Sequence, residues 1–243
     1  MQRTAVVTGG GTGIGRATAR ELVAAGFEVV VIGRRPEPLA ETVAELGSAV
    51  TALSLDVSDP AALTEAAPRL PAAVDVVVNN AGGNTDIGRP VPPEGDLVAL
   101  RDSWQANLDA NLLSAMLFTE LLRPRLAENG RVITIGSIAA RYGAAGYGAA
   151  KAAVEAWSAG LAFSLGGRGI TANVVAPGYT EDTEFFRGRM TDARRTTLIE
   201  KTATKRVGLA TDVAAVIGFL ASPQSGHVTG QVLHVNGGAY LGG

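Results

Sequence analysis

A tyrosine and a lysine four positions apart carry the clearest chemical signal in the chain. Tyr147 and Lys151 stand in the run Tyr-Gly-Ala-Ala-Lys, and residues i and i+4 of a helix share a face. A free phenol ionises with a pKa of about 10, and a neighbouring cation lowers that pKa. We therefore expect a phenol that exchanges a proton with a carbonyl or alcohol oxygen. An ordinary pair on a helix surface has the same spacing and remains the alternative.

A serine ten positions before this tyrosine offers a second polar group. Ser137 ends the predicted strand Arg131–Ser137, and its hydroxyl would lie at the edge of the sheet where ligands bind. A turn or helix-capping serine is the alternative. Tyr142 is closer to Ser137, but position 146 is Gly, so that Tyr142 lacks a lysine four residues on.

Residues 8–15 read T-G-G-G-T-G-I-G between an apolar run and a helical pattern. Glycines at positions 9, 13 and 15 let the backbone turn sharply and approach a pyrophosphate. The first N–H groups of the following helix then face the anion. The spacing differs from the commoner G-x-G-x-x-G, and a tight strand–helix connection without a ligand is the alternative.

The composition narrows the class of protein. The chain has 243 residues, 47% of them hydrophobic, no cysteine, two histidines and a net charge of -2. We expect no disulfide, no metal site and no nucleic-acid partner. There is no apolar run of about 18 residues and no signal-peptide pattern, so we expect no membrane segment and a cytoplasmic location.

Short apolar runs alternate with helical stretches along the whole chain. The predicted strands are Thr4–Thr8, Glu28–Gly33, Val50–Ser54, Val74–Asn79, Arg131–Ser137, Ile170–Ala176 and Gln231–Val235. The predicted helices are Ile14–Ala25, Pro36–Leu46, Pro60–Leu70, Leu97–Ala127, Gly148–Leu165 and Thr211–Ala221. This alternation predicts an α/β fold: one Rossmann-type domain over 1–243, with a doubly wound parallel sheet of about seven strands and helices on both faces.

Two stretches lack a regular pattern, Gly83–Gly95 and Thr180–Arg206. Both follow predicted strands and would overhang the edge where ligands bind. Long loops in compact domains are usually functional, so we expect the second stretch to cover a pocket as a lid. An ordinary surface excursion is the alternative.

Seven landmarks occur together in one order. They are Thr8-Gly9…Gly13-Ile14-Gly15, Asp56-Val57, Asn79-Asn80-Ala81-Gly82, Asn111, Ser137, Tyr147…Lys151 and Pro177-Gly178. With these motifs the chain resembles the short-chain dehydrogenase/reductase family from end to end. The resemblance is strongest to bacterial 3-oxoacyl-carrier-protein reductases, including the tail from Thr229 to Gly238.

The resemblance implies a role for each matching residue. Tyr147 would be the general acid in ketone reduction, Lys151 would lower its pKa and bind the nicotinamide ribose, and Ser137 would polarise the substrate oxygen. Asn111 would hold a water that links Lys151 to solvent. The implied cofactor-binding set also includes Gly9, Gly11, Thr12, Gly13, Ile14, Gly15, Asp56, Val57, Asn80, Ala81, Gly82, Pro177, Gly178, Thr180 and Thr183.

Two departures from the family pattern bear on the site. Ser137 and Tyr147 are closer in sequence than is usual in the family, so the glycine- and alanine-rich segment Ala139–Gly146 should reshape the substrate mouth. Thr183 comes one residue later than the common pattern, which leaves its role open.

The end of the second predicted strand indicates which cofactor binds. An NAD site generally has an acidic residue there, but this chain has Gly33 followed by Arg34 and Arg35. Guanidinium groups pair with a 2′-phosphate, so we predict NADP(H), with NAD(H) possible. Arginines that only solvate the next helix are the alternative.

The leading hypothesis is an oxidoreductase that acts on a small carbonyl or alcohol substrate, with a 3-oxoacyl thioester as the first candidate. Arg123, Arg125 and Arg141 are candidates for contact with an acyl carrier protein. A reductase of another ketone, such as a secondary metabolite, a steroid or a sugar alcohol, is the alternative within this class, and a non-catalytic nucleotide-binding regulator is the alternative outside it. The resemblance also implies a homo-oligomer, either a tetramer or a dimer.

Overall fold

Seven parallel strands form one sheet in residues 2–242, the part of the chain that the computed structural model describes. Met1 and Gly243, the ends of the predicted 1–243 domain, lie outside the described residues. The strands are β1 Arg3–Thr8, β2 Phe27–Gly33, β3 Val50–Ser54, β4 Val74–Asn79, β5 Leu126–Ile135, β6 Thr171–Pro177 and β7 Val232–Val235. Their order is β3-β2-β1-β4-β5-β6-β7. The order reverses between β1 and β4, and such a switch point is where open α/β sheets bind ligands.

Helices connect the strands and cover the sheet. They are α1 Gly13–Ala24, α2 Pro36–Leu46, α3 Pro60–Ala66, α4 Leu97–Leu108, α5 Ser114–Leu122, α6 Ala139–Tyr142, α7 Ala145–Leu165, α8 Asp192–Glu200 and α9 Ala210–Ala221. Within residues 2–242, no helix combines the length and the apolar character needed to cross a membrane.

Each face of the sheet has its own hydrophobic core. On one face, Leu22 of α1 and Ile217 of α9 pack against Val76 and Val78 of β4. On the other face, Phe118 of α5 and the neighbouring helices α3 and α7 pack against the intervening Val77. Side chains of a strand alternate between faces, so only a strand that is apolar throughout can fill both cores. The predicted doubly wound sheet with helices on both faces is confirmed.

The predicted helix Leu97–Ala127 is wrong as a single element. A π-helical turn, Asp109–Leu113, separates α4 from α5, and α5 ends at Leu122. A 3-10 turn around Pro124 follows, because proline cannot continue the hydrogen-bonding of a helix. The chain enters β5 at Leu126, inside the segment that the sequence had predicted as helix.

Other predicted boundaries also move. β5 ends at Ile135 rather than at Ser137, and α7 begins at Ala145 rather than at Gly148. The predicted helix Pro60–Leu70 ends at Ala66. The stretch Thr180–Arg206, expected to be irregular, contains α8. Thr191 caps α8 by accepting a hydrogen bond from the Arg194 N–H at 3.3 Å, but α8 buries none of its described residues, so it lacks the apolar periodicity that would have revealed it.

Candidate active site

Three positions of the turn between β1 and α1 strongly favour glycine. Gly9 and Gly13 have φ values of +66° and +50°, in the left-handed region that glycine tolerates. At Gly15, a Cβ would lie 2.0 Å from the carbonyl oxygen of Gly9. Neither a capping side chain nor an acidic residue is described in the first turn of α1. The turn therefore forms a bare backbone cradle at the positive end of a helix, which fits a pyrophosphate.

Hydrogen bonds fix this glycine turn to the neighbouring end of β4. The N–H groups of Asn80 and Ala81 both donate to the Thr8 hydroxyl at 3.0 Å. The Asn80 side-chain amide donates to the carbonyl oxygens of Thr8 at 3.0 Å and of Gly9 at 3.2 Å. The segment from Asn80 to Gly82 is thus held against the turn across the switch point of the sheet.

The remaining residues of the turn pack against elements around it. A Cβ on Gly11 would lie 3.0 Å from the Cβ of Pro38 in α2. Ile14 is half-buried beneath the turn and packs against one of the two cores. Thr12 precedes α1 in an extended conformation. This close packing fixes the path of the backbone around the cradle.

Tyr147, Lys151 and Ser137 come together at the carboxyl ends of β5 and β6. Tyr147 and Lys151 lie on the buried face of α7 and are 5% and 4% exposed. The Lys151 ammonium lies 5.9 Å from the centre of the Tyr147 ring. It donates a hydrogen bond to the carbonyl oxygen of Ile135 at 2.7 Å. The Ser137 hydroxyl oxygen accepts from the Ala139 N–H at 3.1 Å, at the start of the short helix α6.

Burial dominates the ionisation of this pair. Desolvation raises the pKa of Tyr147 to about 12, and the hydrogen bond with Ser137 offsets only part of that rise. Desolvation also lowers the pKa of Lys151 to about 8. The expected lowering of the Tyr147 pKa by Lys151 is therefore wrong, because burial of the phenolate raises that pKa and only the hydrogen bond with Ser137 acts against it.

Asn111 lies in the π-helical turn and is 1% exposed. Its side-chain oxygen accepts from the Gly83 N–H at 2.9 Å, and its NH₂ group donates to the carbonyl oxygens of Gly83 and Asn107. A Cβ on Gly82 would lie 2.7 Å from the same side-chain oxygen. Asn111 thus fixes the chain after β4, and single π turns of this kind are frequent at functional sites. Its expected role in a proton relay stays a prediction.

The two arginines after β2 are exposed and paired with acidic residues. Arg34 lies 4.0 Å from Asp56, and Arg35 forms an ion pair with Glu184. The Asp56 carboxylate accepts hydrogen bonds from the N–H and hydroxyl of Ser58, which together with Arg34 hold the pKa of Asp56 below its usual value despite partial burial. Val57 points into a core, so that only its backbone is available to a ligand.

The chain after β6 crosses the front of the site. Gly178 donates its N–H to Val235 at 3.1 Å, and a Cβ there would lie 2.8 Å from the Cβ of Asn236. Thr180 is buried and accepts, through its carbonyl oxygen, a hydrogen bond from the Thr183 hydroxyl at 3.1 Å. Pro177 is the last residue of β6. These contacts direct the chain back toward the glycine turn.

We call residues Thr183–Phe185 the strap, because they lie across the site. A Cβ on Gly13 would lie 3.3 Å from the Thr183 methyl group. The next residue, Glu184, pairs with Arg35. The ring of Phe185 packs 5.6 Å from the ring of Tyr147.

The two irregular stretches of the sequence meet beside the strap. Arg187 donates a hydrogen bond to the carbonyl oxygen of Ile87 at 3.2 Å. The guanidinium of Arg189 lies against Gly88, where a Cβ would be 3.2 Å from Nε. The two stretches therefore meet beside the site, and the expected lid stays a prediction.

The chain is similar to known proteins over almost its whole length. Residues 9–240 match a family model described as enoyl-(acyl carrier protein) reductase. The chain is 35% identical to the 3-oxoacyl-[acyl-carrier-protein] reductase FabG of Salmonella typhimurium, with 98% of each protein covered. It is 34% identical to the short-chain reductase protein NovJ of Streptomyces niveus, covering 98% of this chain and 94% of that protein.

Solved structures of similar shape cover the chain equally well. A blue fluorescent protein from a metagenomic library, in complex with NADPH, matches with a TM-score of 0.86 and 30% identity, covering 98% of both chains. A short chain dehydrogenase from Burkholderia cenocepacia, in complex with NADP, matches with a TM-score of 0.85 and 32% identity, covering 98% of this chain and 97% of that one. The chain belongs to the short-chain dehydrogenase/reductase family.

The short-chain dehydrogenase/reductase motifs are evident in the sequence, but several polar residues that hold them in place are not. Asn107 is fully buried and accepts from the Thr85 N–H at 3.2 Å while donating to Asp86 at 2.9 Å. Arg16 donates to the carbonyl oxygen of Gly11 at 2.8 Å. Glu184 was missed as the partner of Arg35. No local pattern distinguishes these polar residues from surface ones, because their partners are distant in sequence.

Tyr142, which lacks a lysine four residues on, is exposed. Its ring is 59% exposed, and its hydroxyl donates to the carbonyl oxygen of Ala239 near the end of the chain. It lies on α6, which replaces the loop expected between Ser137 and Tyr147. Ser137 is hydrogen-bonded to Tyr147 despite the reduced spacing.

Proposed function

We propose that this short-chain dehydrogenase/reductase is an NADP(H)-dependent enzyme that reduces a carbonyl group or oxidises the corresponding alcohol. The observation that supports this most is the buried pair of Tyr147 and Lys151, with the half-buried Ser137, beside the glycine turn. Both features lie at the carboxyl edge of one parallel sheet, and Phe185 of the strap packs on the Tyr147 ring.

The ionisation of the site favours proton donation. With a pKa of about 12, the Tyr147 phenol is protonated at neutral pH and can donate to a carbonyl oxygen. Ser137, already hydrogen-bonded to that phenol, would hold the same oxygen in reach. Lys151, with a pKa of about 8, is mostly an ammonium at pH 7 and would stabilise the negative charge left after transfer.

The cofactor supplies or accepts the hydride at its nicotinamide ring. The glycine turn, from Gly9 to Gly15, would hold its pyrophosphate. Arg34 and Arg35 would hold a 2′-phosphate, and two related structures are complexes with NADPH and NADP. The other proposed contacts are Asp56, Val57, Asn80, Ala81 and Gly82 around the adenosine, Lys151 at the ribose, and Pro177, Gly178, Thr180 and Thr183 around the nicotinamide.

We propose a 3-oxoacyl thioester as the first substrate to test, because the FabG relatives are named as reductases of that group on an acyl carrier protein. Arg141 lies on α6, between Ser137 and Tyr147 in the sequence, and stays a candidate for contact with an acyl carrier protein. Arg123 and Arg125 directly precede β5, at the amino end of the sheet and therefore opposite the site. They no longer support a carrier-protein contact.

The second substrate candidate is a hydrophobic ketone other than a 3-oxoacyl thioester. The aromatic rings of Phe185 and Phe186, which pack in front of Tyr147, favour it.

A substrate panel with a paired variant tests the proposal. NADPH absorbance is followed with 3-oxoacyl thioesters, ketones and alcohols for the parent protein, Tyr147→Phe and the control Tyr142→Phe. Loss of general acid catalysis should lower kcat by about 10²- to 10⁴-fold in Tyr147→Phe, while Tyr142→Phe keeps the activity of the parent. Equal turnover by Tyr147→Phe and the parent would refute the proton-donor role.

We also propose a homo-oligomer, a tetramer or a dimer, working in the cytoplasm. The small residues of α7, among them Ala152, Ala156 and Gly160, permit close approach of a second helix. Phe163 on the same helix is 91% exposed, as an interface residue of an isolated subunit would be. Light scattering that gives the mass of a monomer, 24.8 kDa, would contradict the assembly.

A further inference from the structure

Each residue of the strap contacts a different part of the proposed cofactor groove. Thr183 covers Gly13 of the glycine turn, Glu184 pairs with Arg35 at the end of β2, and Phe185 packs on Tyr147 of α7. These three partners come from separate elements of the sheet edge. The strap therefore runs from the arginine end of the groove to the phenol end.

The two arginines differ in what their ion pairs connect. Arg34 faces Asp56, which Ser58 fixes at the end of the neighbouring strand through bonds of 2.9 Å and 2.7 Å. Arg35 faces Glu184, which is 149 positions away in sequence. Among the described ion pairs, only Arg35–Glu184 joins the end of β2 to the strap.

We infer that Glu184 is a cofactor-specificity residue, because its carboxylate competes with a 2′-phosphate for Arg35. This inference rests on the proposed NADP(H) function. A guanidinium uses the same planar set of N–H donors for carboxylates and phosphates. A dinucleotide with a 2′-phosphate offers Arg35 a more highly charged partner and releases Glu184. A dinucleotide without that phosphate has nothing to exchange and leaves the strap tethered.

The exposure of the pair sets the size of the effect. The Arg35 and Glu184 side chains are 57% and 59% exposed, and solvent weakens ion pairs at such positions. Removing the competing carboxylate should therefore tighten NADP⁺ binding by only about 2- to 5-fold. The effect should shrink as salt is added, because exposed charges are screened.

Binding titrations on charge-matched variants test the competition. Glu184→Gln removes the carboxylate with little change of shape, and Glu128→Gln removes one from the exposed ion pair with Arg168 at the opposite edge of the sheet. Calorimetric titration at low salt should give NADP⁺ binding about 2- to 5-fold tighter for Glu184→Gln only. NAD⁺ binding should be equal in all three proteins. In an Arg35→Ala background, Glu184→Gln should have no further effect on NADP⁺ binding.

Proteolysis of the ligand-free protein gives a second measurement. Arg187 and Arg189 are exposed directly after the strap and are sites for trypsin. If the ion pair tethers the strap, trypsin should cut there about 2- to 5-fold faster in Glu184→Gln than in Glu128→Gln.

The outcomes separate the inference from the proposed function. The inference alone is overturned if the parent binds NADP⁺ and Glu184→Gln binds it with the same affinity. It is also overturned if Glu184→Gln gains as much affinity for NAD⁺ as for NADP⁺. An unchanged rate of cleavage after Arg187 and Arg189 overturns the tether. A parent protein that binds no NADP⁺ refutes the proposed function, and the competition is refuted with it.

Discussion

Replacing Gly15 by alanine should disrupt the glycine turn directly. A Cβ there would lie 2.0 Å from the Gly9 carbonyl oxygen and 2.6 Å from the Asn80 side-chain nitrogen. Neither neighbour can rotate away, because the first is backbone and the second is hydrogen-bonded to Thr8 and Gly9. Ordinary van der Waals contact begins at 3.4 Å, so the backbone must move by at least about 1 Å.

The cost follows from the size of that displacement. Overpacking of a fixed site costs about 1–3 kcal/mol, and a shift of 1 Å places Gly15→Ala near the upper value. For a chain of this length, about 3 kcal/mol corresponds to a Tm lower by roughly 6–12 °C. Displacement of the anion cradle by about 1 Å should also cost on the order of 100-fold in kcat/KM.

Thermal unfolding by circular dichroism and calorimetric titration with NADP⁺ measure both effects. Gly166→Ala, directly after α7, is the matched control, because Gly166 has helical φ and ψ values of -58° and -32° and a Cβ there meets nothing within 4 Å. Replacing glycine by alanine in a compatible conformation stabilises a protein by about 0.4–1 kcal/mol, so this control should be slightly more stable than the parent. A Gly15→Ala protein with the Tm and the NADP⁺ affinity of the parent would refute the steric reasoning.

Two further predictions concern buried polar groups. Burial lowers the pKa of Lys151 from 10.5 to about 8, so between these pH values the unfolded chain keeps a proton that the folded chain has lost. The free energy of unfolding should therefore rise with pH across this window by about 1.4 kcal/mol per pH unit relative to Lys151→Met. Denaturant titrations of both proteins would contradict this if the difference between their free energies of unfolding stayed constant with pH. Asn107→Ala leaves the Thr85 N–H and the Asp86 carboxylate without their buried partner. It should destabilise the protein by about 1–3 kcal/mol. Faster hydrogen exchange of the Thr85 and Asp86 amides would measure the local loss of stability.

Most of the fold and much of the site could be predicted from the sequence because the signals are local. Apolar β-branched runs such as Val76–Val78 mark strands that are covered on both faces. The glycines at positions 9, 13 and 15 mark a turn because the lack of a side chain matters within a few residues. The i, i+4 spacing places Tyr147 and Lys151 on one helix face regardless of the rest of the chain.

The continuous helix Leu97–Ala127 shows where local signals stop. The apolar pattern runs through the region, but a π-helical turn places Asn111 against Gly83. The helix α8 shows the converse, since its sequence is polar and an ion pair between Arg195 and Glu181 attaches it to the chain after β6. In both cases a contact with another part of the chain decides the local conformation.

The sequence by itself therefore determined the order of the elements, the turn that can hold a pyrophosphate and the pair of side chains that can move a proton. Tertiary structure alone decided that burial raises the pKa of Tyr147 and that Glu184 pairs with Arg35. Backbone sterics and periodicity act over a few residues, whereas desolvation and charge pairing depend on residues that only folding brings together.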